Sequence, residues 1–202
     1  MKKINIIITL ALIAIFALNS NAQQIGQGKI LLVGEIGGIS NGANSFKLGD
    51  SSWVETNKYS TINFSPKFGF FIADGFAIGL QTEYGINKNT FGNNTSTKNT
   101  LGVGPFARFY VKVGKLAPFG EAGFGYYSEK TKWNFGSISA TGANSGLFAK
   151  AGVGLALFIG EKAAIEGFFG YDTITLKEKD TDPVRKDKSK GTSFSIGVAF
   201  FI

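Results

Sequence analysis

The fold is decided by the stretch Thr192-Ser-Phe-Ser-Ile-Gly-Val-Ala-Phe-Phe-Ile202. Phe194, Ile196, Val198, Phe200 and Ile202 share one parity, and Ser193, Ser195, Gly197 and Ala199 share the other. A period of two marks a strand whose faces meet different surroundings. The run reaches the last residue without a turn or tail, so the strand needs a partner on each edge, which a closed barrel supplies. Two kinds of barrel fit such a strand. A soluble one buries the apolar face, whereas a membrane barrel turns it to lipid and lines its interior with the small polar face.

The other end of the chain bears on that choice. Lys2 and Lys3 precede an apolar run, Ile6 to Leu18, broken only by Thr9, and Ser20-Asn21-Ala22 follows with small residues. This is the pattern of a secretory signal cleaved after Ala22. The run is too short for a membrane helix, which needs roughly 20 residues. The expected division is a leader over 1–22 and one barrel domain over 23–202. No cysteine occurs in the chain, so neither a lipid-anchored cysteine nor a disulfide scaffold is expected.

Composition points the same way. With 28 Gly and 20 Phe but only one Met in 202 residues, the chain suits strands whose backbones approach closely. Its formal net charge of +7 falls to +5 once Lys2 and Lys3 leave with the leader. A moderate positive charge favours anionic surfaces rather than nucleic-acid reading.

Working back from the closing strand, alternation and turn residues divide the chain into eight strands. They are expected near 29–39, 59–71, 76–86, 99–111, 116–127, 147–157, 163–176 and 192–202. Short connections lie at Ala73-Asp74-Gly75, where Asp-Gly is a strong hairpin signal, at 112–115 and at Gly160-Glu161-Lys162. Long polar loops are expected over 41–57, 87–98, 128–143 and 177–190. Long loops on one side and tight turns on the other is the arrangement of outer-membrane barrels. An even strand count places both ends of the mature chain on the short-turn side.

Opposite the apolar face, successive strands offer Glu35, Lys67, Glu83, Arg108, Glu121, Lys150 and Glu166, a ladder of alternating sign. Inside a small barrel these groups would pair between neighbouring strands. On a soluble sheet they would be ordinary solvent-facing charges. Tyr59, Tyr84, Tyr126, Tyr127 and Tyr171 fall at long-loop strand ends, and Phe70, Phe71, Phe76, Phe109, Phe119, Phe158, Phe200 and Phe201 crowd the short-turn ends. These two groups are expected to form interfacial belts.

The segments Pro66-Lys-Phe-Gly-Phe-Phe-Ile-Ala-Asp-Gly-Phe-Ala-Ile-Gly-Leu80 and Pro118-Phe-Gly-Glu-Ala-Gly-Phe-Gly-Tyr126 resemble the strand-turn-strand and mid-barrel segments of the small outer-membrane β-barrel (porin-like) family of Gram-negative bacteria. The resemblance covers essentially the whole mature chain. It implies an all-β, eight-stranded antiparallel up-and-down transmembrane β-barrel in the cell outer membrane. It also implies lipid and lipopolysaccharide as surroundings, and insertion by the outer-membrane assembly machinery reading Phe200, Phe201 and Ile202. Ile202 departs from the terminal aromatic usual in the family, and no peptidoglycan-binding domain is expected beyond the barrel.

Chemistry is sparse. With no His, nucleophilic Ser-His catalysis and His-ligated metal sites are closed off. Carboxylates such as Glu121 and Glu166 have cationic neighbours that assign them to pairing. Gly102-Val-Gly104 and Gly152-Val-Gly154 lack the Lys and helix of a phosphate loop and read as packing glycines. No catalytic residue, metal or cofactor is expected. Trp53 and Trp133 are either exposed recognition residues or fold back on their own loops. The functional expectation is an envelope scaffold or surface-interaction protein contacting ligands through its external loops. The alternatives are a narrow channel or carrier for small solutes or hydrophobic molecules, and a soluble lipid-binding barrel.

Overall fold

The computed structural model describes residues 25–46, 54–92, 94–111, 113–135, 138–178 and 186–202. The expected leader lies outside them. Eight strands, β1 (Ile30–Phe46), β2 (Val54–Ala73), β3 (Phe76–Phe91), β4 (Asn94–Tyr110), β5 (Leu116–Phe135), β6 (Ile138–Phe158), β7 (Ala163–Glu178) and β8 (Lys186–Phe201), follow one another in chain order around a closed barrel. Every neighbouring pair is antiparallel, and β8 closes on β1. Closure satisfies the backbone within the wall, which a bilayer requires because it offers no water to an open edge.

The faces resolve the choice left open by the sequence. Leu80, Phe124, Leu147 and Val153 point outward and are each more than 60% exposed, whereas Glu35, Lys67, Arg108, Glu121 and Glu166 point inward and are nearly inaccessible. An apolar outside over a charged inside is the reverse of a soluble barrel.

The strands run further than the alternation of side chains indicated. The polar stretches read as loops over 41–57, 87–98, 128–143 and 177–190 are in large part strand, with β4 and β5 paired from Tyr110↔Phe119 as far as Asn94↔Phe135. β5 holds 20 residues. At about 3.3 Å per residue and a tilt near 40° it rises about 50 Å, roughly twice the ~25 Å apolar band of such barrels. Above that band both faces meet water, so alternation fades while the hydrogen-bonded ladder continues. The hairpins therefore project well beyond the apolar belt.

One seam differs from the rest. β1 pairs with β8 only from Ile30↔Ile202, which exchange two backbone hydrogen bonds, to Gly37↔Ser195, although both strands continue upward. A bulge in β1 ends the pairing: between Gly37 and Ser40 the register against β2 shifts, so that Gly38 and Ile39 lie opposite Ile62 alone. Gly38 sits at φ +60°, and a Cβ there would run into the Asn63 amide. Such a bulge bends the strand that carries it.

Candidate functional site

The lumen has three levels. At the short-turn end lies an apolar floor made of Phe71, Phe119, Phe158, Phe168 and Phe201 with Tyr110. Ring centroids are 5.0 Å apart for Phe158 and Phe201, 5.2 Å for Tyr110 and Phe119, and 6.1 Å for Phe119 and Phe168. Gly152 and Gly154 leave space for these rings: a Cβ on either would strike Phe168 or Phe119. The segment before β1 closes the floor from beneath. Gly75 N donates to Ile25 O and Gly28 N to Phe71 O, holding the buried Ile25 side chain in the apolar cluster.

This floor corrects the expected lower belt. Phe70 and Phe109 do point outward, but Phe71, Phe119, Phe158 and Phe201 are at most 6% exposed inside the barrel. Adjacent residues of a strand face opposite sides, so Phe70-Phe71 and Phe200-Phe201 each divide between lipid and lumen. The upper group divides as well. Tyr84, Tyr126 and Tyr171 are outward and about half exposed, while Tyr127 lines the lumen and Tyr59 falls on the lumen parity of β2.

Above the floor lies an ion cluster. Arg108 on β4 donates through Nε to Glu121 Oε2 at 2.7 Å, through Nη2 to Glu35 Oε1 at 2.9 Å, and through Nη1 to Glu166 Oε2 at 2.6 Å. Its Nη1 also donates to Tyr110 Oη at 2.8 Å, and that hydroxyl donates to Glu166 Oε1 at 2.7 Å. Lys67 on β2 donates to Glu35 at 2.8 Å and to Glu121 at 2.5 Å, and Ser195 Oγ donates to Glu35 Oε2 at 3.2 Å. The guanidinium carbon lies 4.3 Å from the Phe119 ring centroid, so the cation also rests on the aromatic floor.

The expected ladder residues thus share the lumen, but they do not pair simply from strand to strand. Arg108–Glu121 and Lys67–Glu35 link neighbouring strands, whereas Arg108–Glu35, Arg108–Glu166 and Lys67–Glu121 cross the barrel. Glu83 and Lys150 sit apart from this knot and face each other at 3.5 Å from β3 and β6. Long side chains in a narrow lumen reach the opposite wall, and their height along the tilted strands decides which of them meet. Ser195 joins this layer as the polar partner expected of the eighth strand, whereas Tyr110 and Gln81 take part in it without having been singled out as site residues. Their signal was parity: each lies on the inward register of a strand that carries a ladder charge or closes against one.

Floor and cluster together seal the lumen. Arg108, Phe71, Phe168 and Phe201 are at most 1% exposed, so water entering from above stops at Glu35 and Ser195, which border the open cavity. The cluster's carboxylates are committed to Lys67 and Arg108, and among the described residues no group of three or more potential ligands is placed to hold a metal ion.

The third level is open. A cavity of about 700 Å³ rises from Glu35 and Ser195 toward the hairpins, with Glu83, Lys150, Asp172 and Tyr127 in its wall. Beyond it, Trp133 on β5 lies over Gly142 of its own hairpin and borders a small hollow with Phe91 and Phe135. Trp53 lies outside the described residues.

Comparison with solved structures places this architecture. The attachment invasion locus protein Ail of Yersinia pestis, solved in complex with the heparin analogue sucrose octasulfate, superposes at a TM-score of 0.51. It is 12% identical over 87% of this chain and 99% of that chain. A major outer membrane protein from Thermus thermophilus superposes at 0.50, with 11% identity over 86% of this chain and 99% of that one. No family model matches the chain, and none of the curated proteins is detectably similar to it in sequence. By fold, the chain is an eight-stranded antiparallel β-barrel of the outer-membrane type.

Proposed function

We propose that the protein stands in the outer membrane of a Gram-negative cell with its short turns toward the periplasm and its hairpins outside. There it acts as an envelope interaction protein, neither an enzyme nor a pore. The observation that carries this reading is the sealed lumen beneath projecting hairpins. A barrel closed by an aromatic floor and a cross-barrel ion cluster offers solutes no path, which leaves the outer surface as the working part.

The chemistry of that surface suggests the partner. Lys88, Lys130, Lys132, Lys188 and Lys190 are exposed on the hairpins, beside the exposed apolar tips Phe91, Phe135 and Ile138. Ammonium groups spread over β3, β5 and β8 suit phosphate or sulfate, each as a compact point charge. The lipopolysaccharide phosphates of the surrounding leaflet are the nearest such groups. The similar barrel Ail was solved with a sulfated sugar, a polyanion of the same character. Insertion by the assembly machinery through Phe200, Phe201 and Ile202 belongs to the same reading, with Ile202 half exposed at the strand end and Phe201 turned into the floor.

The cysteine-free chain makes the test direct. Asn134→Cys and Thr141→Cys on whole cells should react with a membrane-impermeant maleimide, and the purified protein should bind lipopolysaccharide in a salt-sensitive way. Replacing Lys130 and Lys132 with Gln should weaken that binding. Labelling only after lysis, or binding indifferent to these charges, would overturn the proposal.

A further inference from the structure

Apart from Glu35 and Ser195 at its base, the open upper cavity is built from groups that the seal does not use. Its volume, about 700 Å³, lies within the roughly 300–1,000 Å³ range of small-molecule sites. Its polar side carries an excess of negative charge. Glu83 and Asp172 face it with Lys150 as the cation between them, and the Glu83–Lys150 contact is loose at 3.5 Å. The cluster beneath leans the same way, with Glu35, Glu121 and Glu166 against Lys67 and Arg108. Ser193 Oγ, in the cavity wall, is shielded from solvent and has no hydrogen-bond partner among the described residues.

The cavity also reaches the outside of the barrel wall. Ile36, Phe194 and Ile196 line it although their side chains belong to the lipid-facing register, and all of them flank the point where β1 and β8 part. Gly37↔Ser195 is the last pair of that seam, and the Gly38 bulge carries β1 away above it. One site therefore joins a carboxylate-rich interior to an apolar exit at the level where the seam opens.

We infer that this vestibule binds an amphipath carrying a protonated amine, with the ammonium between Glu83 and Asp172 and the apolar chain leaving through the β1–β8 seam. Charge selects the head: a cation relieves the carboxylate excess, whereas an anion would add to it. The seam selects the tail, because a chain lying across Ile36, Phe194 and Ile196 stays in contact with apolar groups along its length. This site is independent of the hairpin lysines, which call for a partner of opposite charge.

A tryptophan in the cavity reads binding directly. Phe148→Trp, in a background with Trp53→Phe and Trp133→Phe, is reconstituted in phosphatidylcholine vesicles and titrated with 11-bromoundecylammonium, 11-bromoundecanol or 11-bromoundecanoate. Bromine quenching should saturate, with the ammonium about tenfold tighter than the alcohol and the carboxylate weakest. Ethylammonium, which lacks a chain, should not compete. Glu83→Gln with Asp172→Asn should bring the ammonium down to the alcohol, and Lys150→Gln, which removes the competing cation, should tighten it. The Lys150 variant keeps the test decisive where the double variant fails to fold. Quenching by bromoacyl phosphatidylethanolamine built into the vesicle would make the membrane the source of the ligand, and quenching only by added amine would make it the external medium. Equal, non-saturating quenching by all three probes is bilayer partitioning and overturns the inference, as does an ammonium preference unchanged in both charge variants.

Discussion

Arg108 should be the most sensitive single position in the barrel. Arg108→Met keeps an apolar stem on the Phe119 ring but removes the one cation that meets Glu35, Glu121 and Glu166 together, leaving Glu35 and Glu121 to share Lys67 and Glu166 with the Tyr110 hydroxyl but no cation. Removing one partner of a buried ion pair costs about 3–5 kcal/mol, and one carboxylate left without a cation beside two that must share Lys67 places this substitution near the upper end, about 5 kcal/mol. With a urea slope of about 2 kcal/mol/M, the unfolding midpoint should fall by about 2.5 M. The assay is urea-dependent folding into lipid vesicles, followed by the shift in gel mobility between unboiled and boiled samples. The cluster reading also makes a compensated variant informative. Arg108→Met with Glu121→Gln and Glu166→Gln leaves Glu35 paired with Lys67, and the amide oxygen then at position 166 can still accept from the Tyr110 hydroxyl. It should recover most of the loss, since neutralising a whole buried ion group is often nearly neutral. A single variant within about 0.3 M of wild type, or a compensated variant no better than the single one, would refute the reasoning.

Other substitutions separate the layers. Phe71→Ala should cost about 3–5 kcal/mol as a cavity in the packed floor, while Phe70→Ala, one residue away and facing outward, should cost far less in the same urea titration. Val153→Arg should destabilise by about 2–4 kcal/mol if its face meets the bilayer centre, and by a few tenths if it meets water, measured by vesicle refolding. Gly38→Val should lower stability by at least ~1 kcal/mol, because a β-branched residue is strained at φ +60° and its Cβ meets Asn63. Phe201→Ala should reduce the stability of purified, refolded protein, whereas Ile202→Ala, exposed at the strand end, should leave it unchanged, so any assembly defect of the latter in cells reports recognition rather than packing.

Much of this architecture is legible in the residues. The two-residue period of 192–202, the Asp74-Gly75 turn and the inward register of Glu35, Lys67, Arg108 and Glu166 follow from local geometry, because a strand assigns alternate side chains to alternate faces. The same rule, applied to every residue, would have separated Phe71 from Phe70 and Phe201 from Phe200. Read by position along the strand alone, they look like one belt. The hairpin length was hidden for a different reason. Alternation records a difference between two environments, and above the lipid polar residues fall on both faces of Thr95 to Thr100 and Lys130 to Asn134 while their backbone pairing persists. The cross-barrel contacts of Arg108 depend on strand tilt and side-chain reach, which no spacing along the chain encodes. The opening above Gly37 and Ser195 left only the Gly37-Gly38 pair as its trace.

The central claim is that an aromatic floor and an ion cluster close a barrel whose outer wall faces lipid. Its most direct test is the conductance of the purified, heat-modifiable protein in a planar bilayer. The account predicts insertion without steady conductance, with open events appearing when Arg108 and Phe168 are both replaced by Ala. Stable single-channel current through the unaltered protein would show a continuous water path past Arg108 and contradict the sealed lumen on which the proposed function rests.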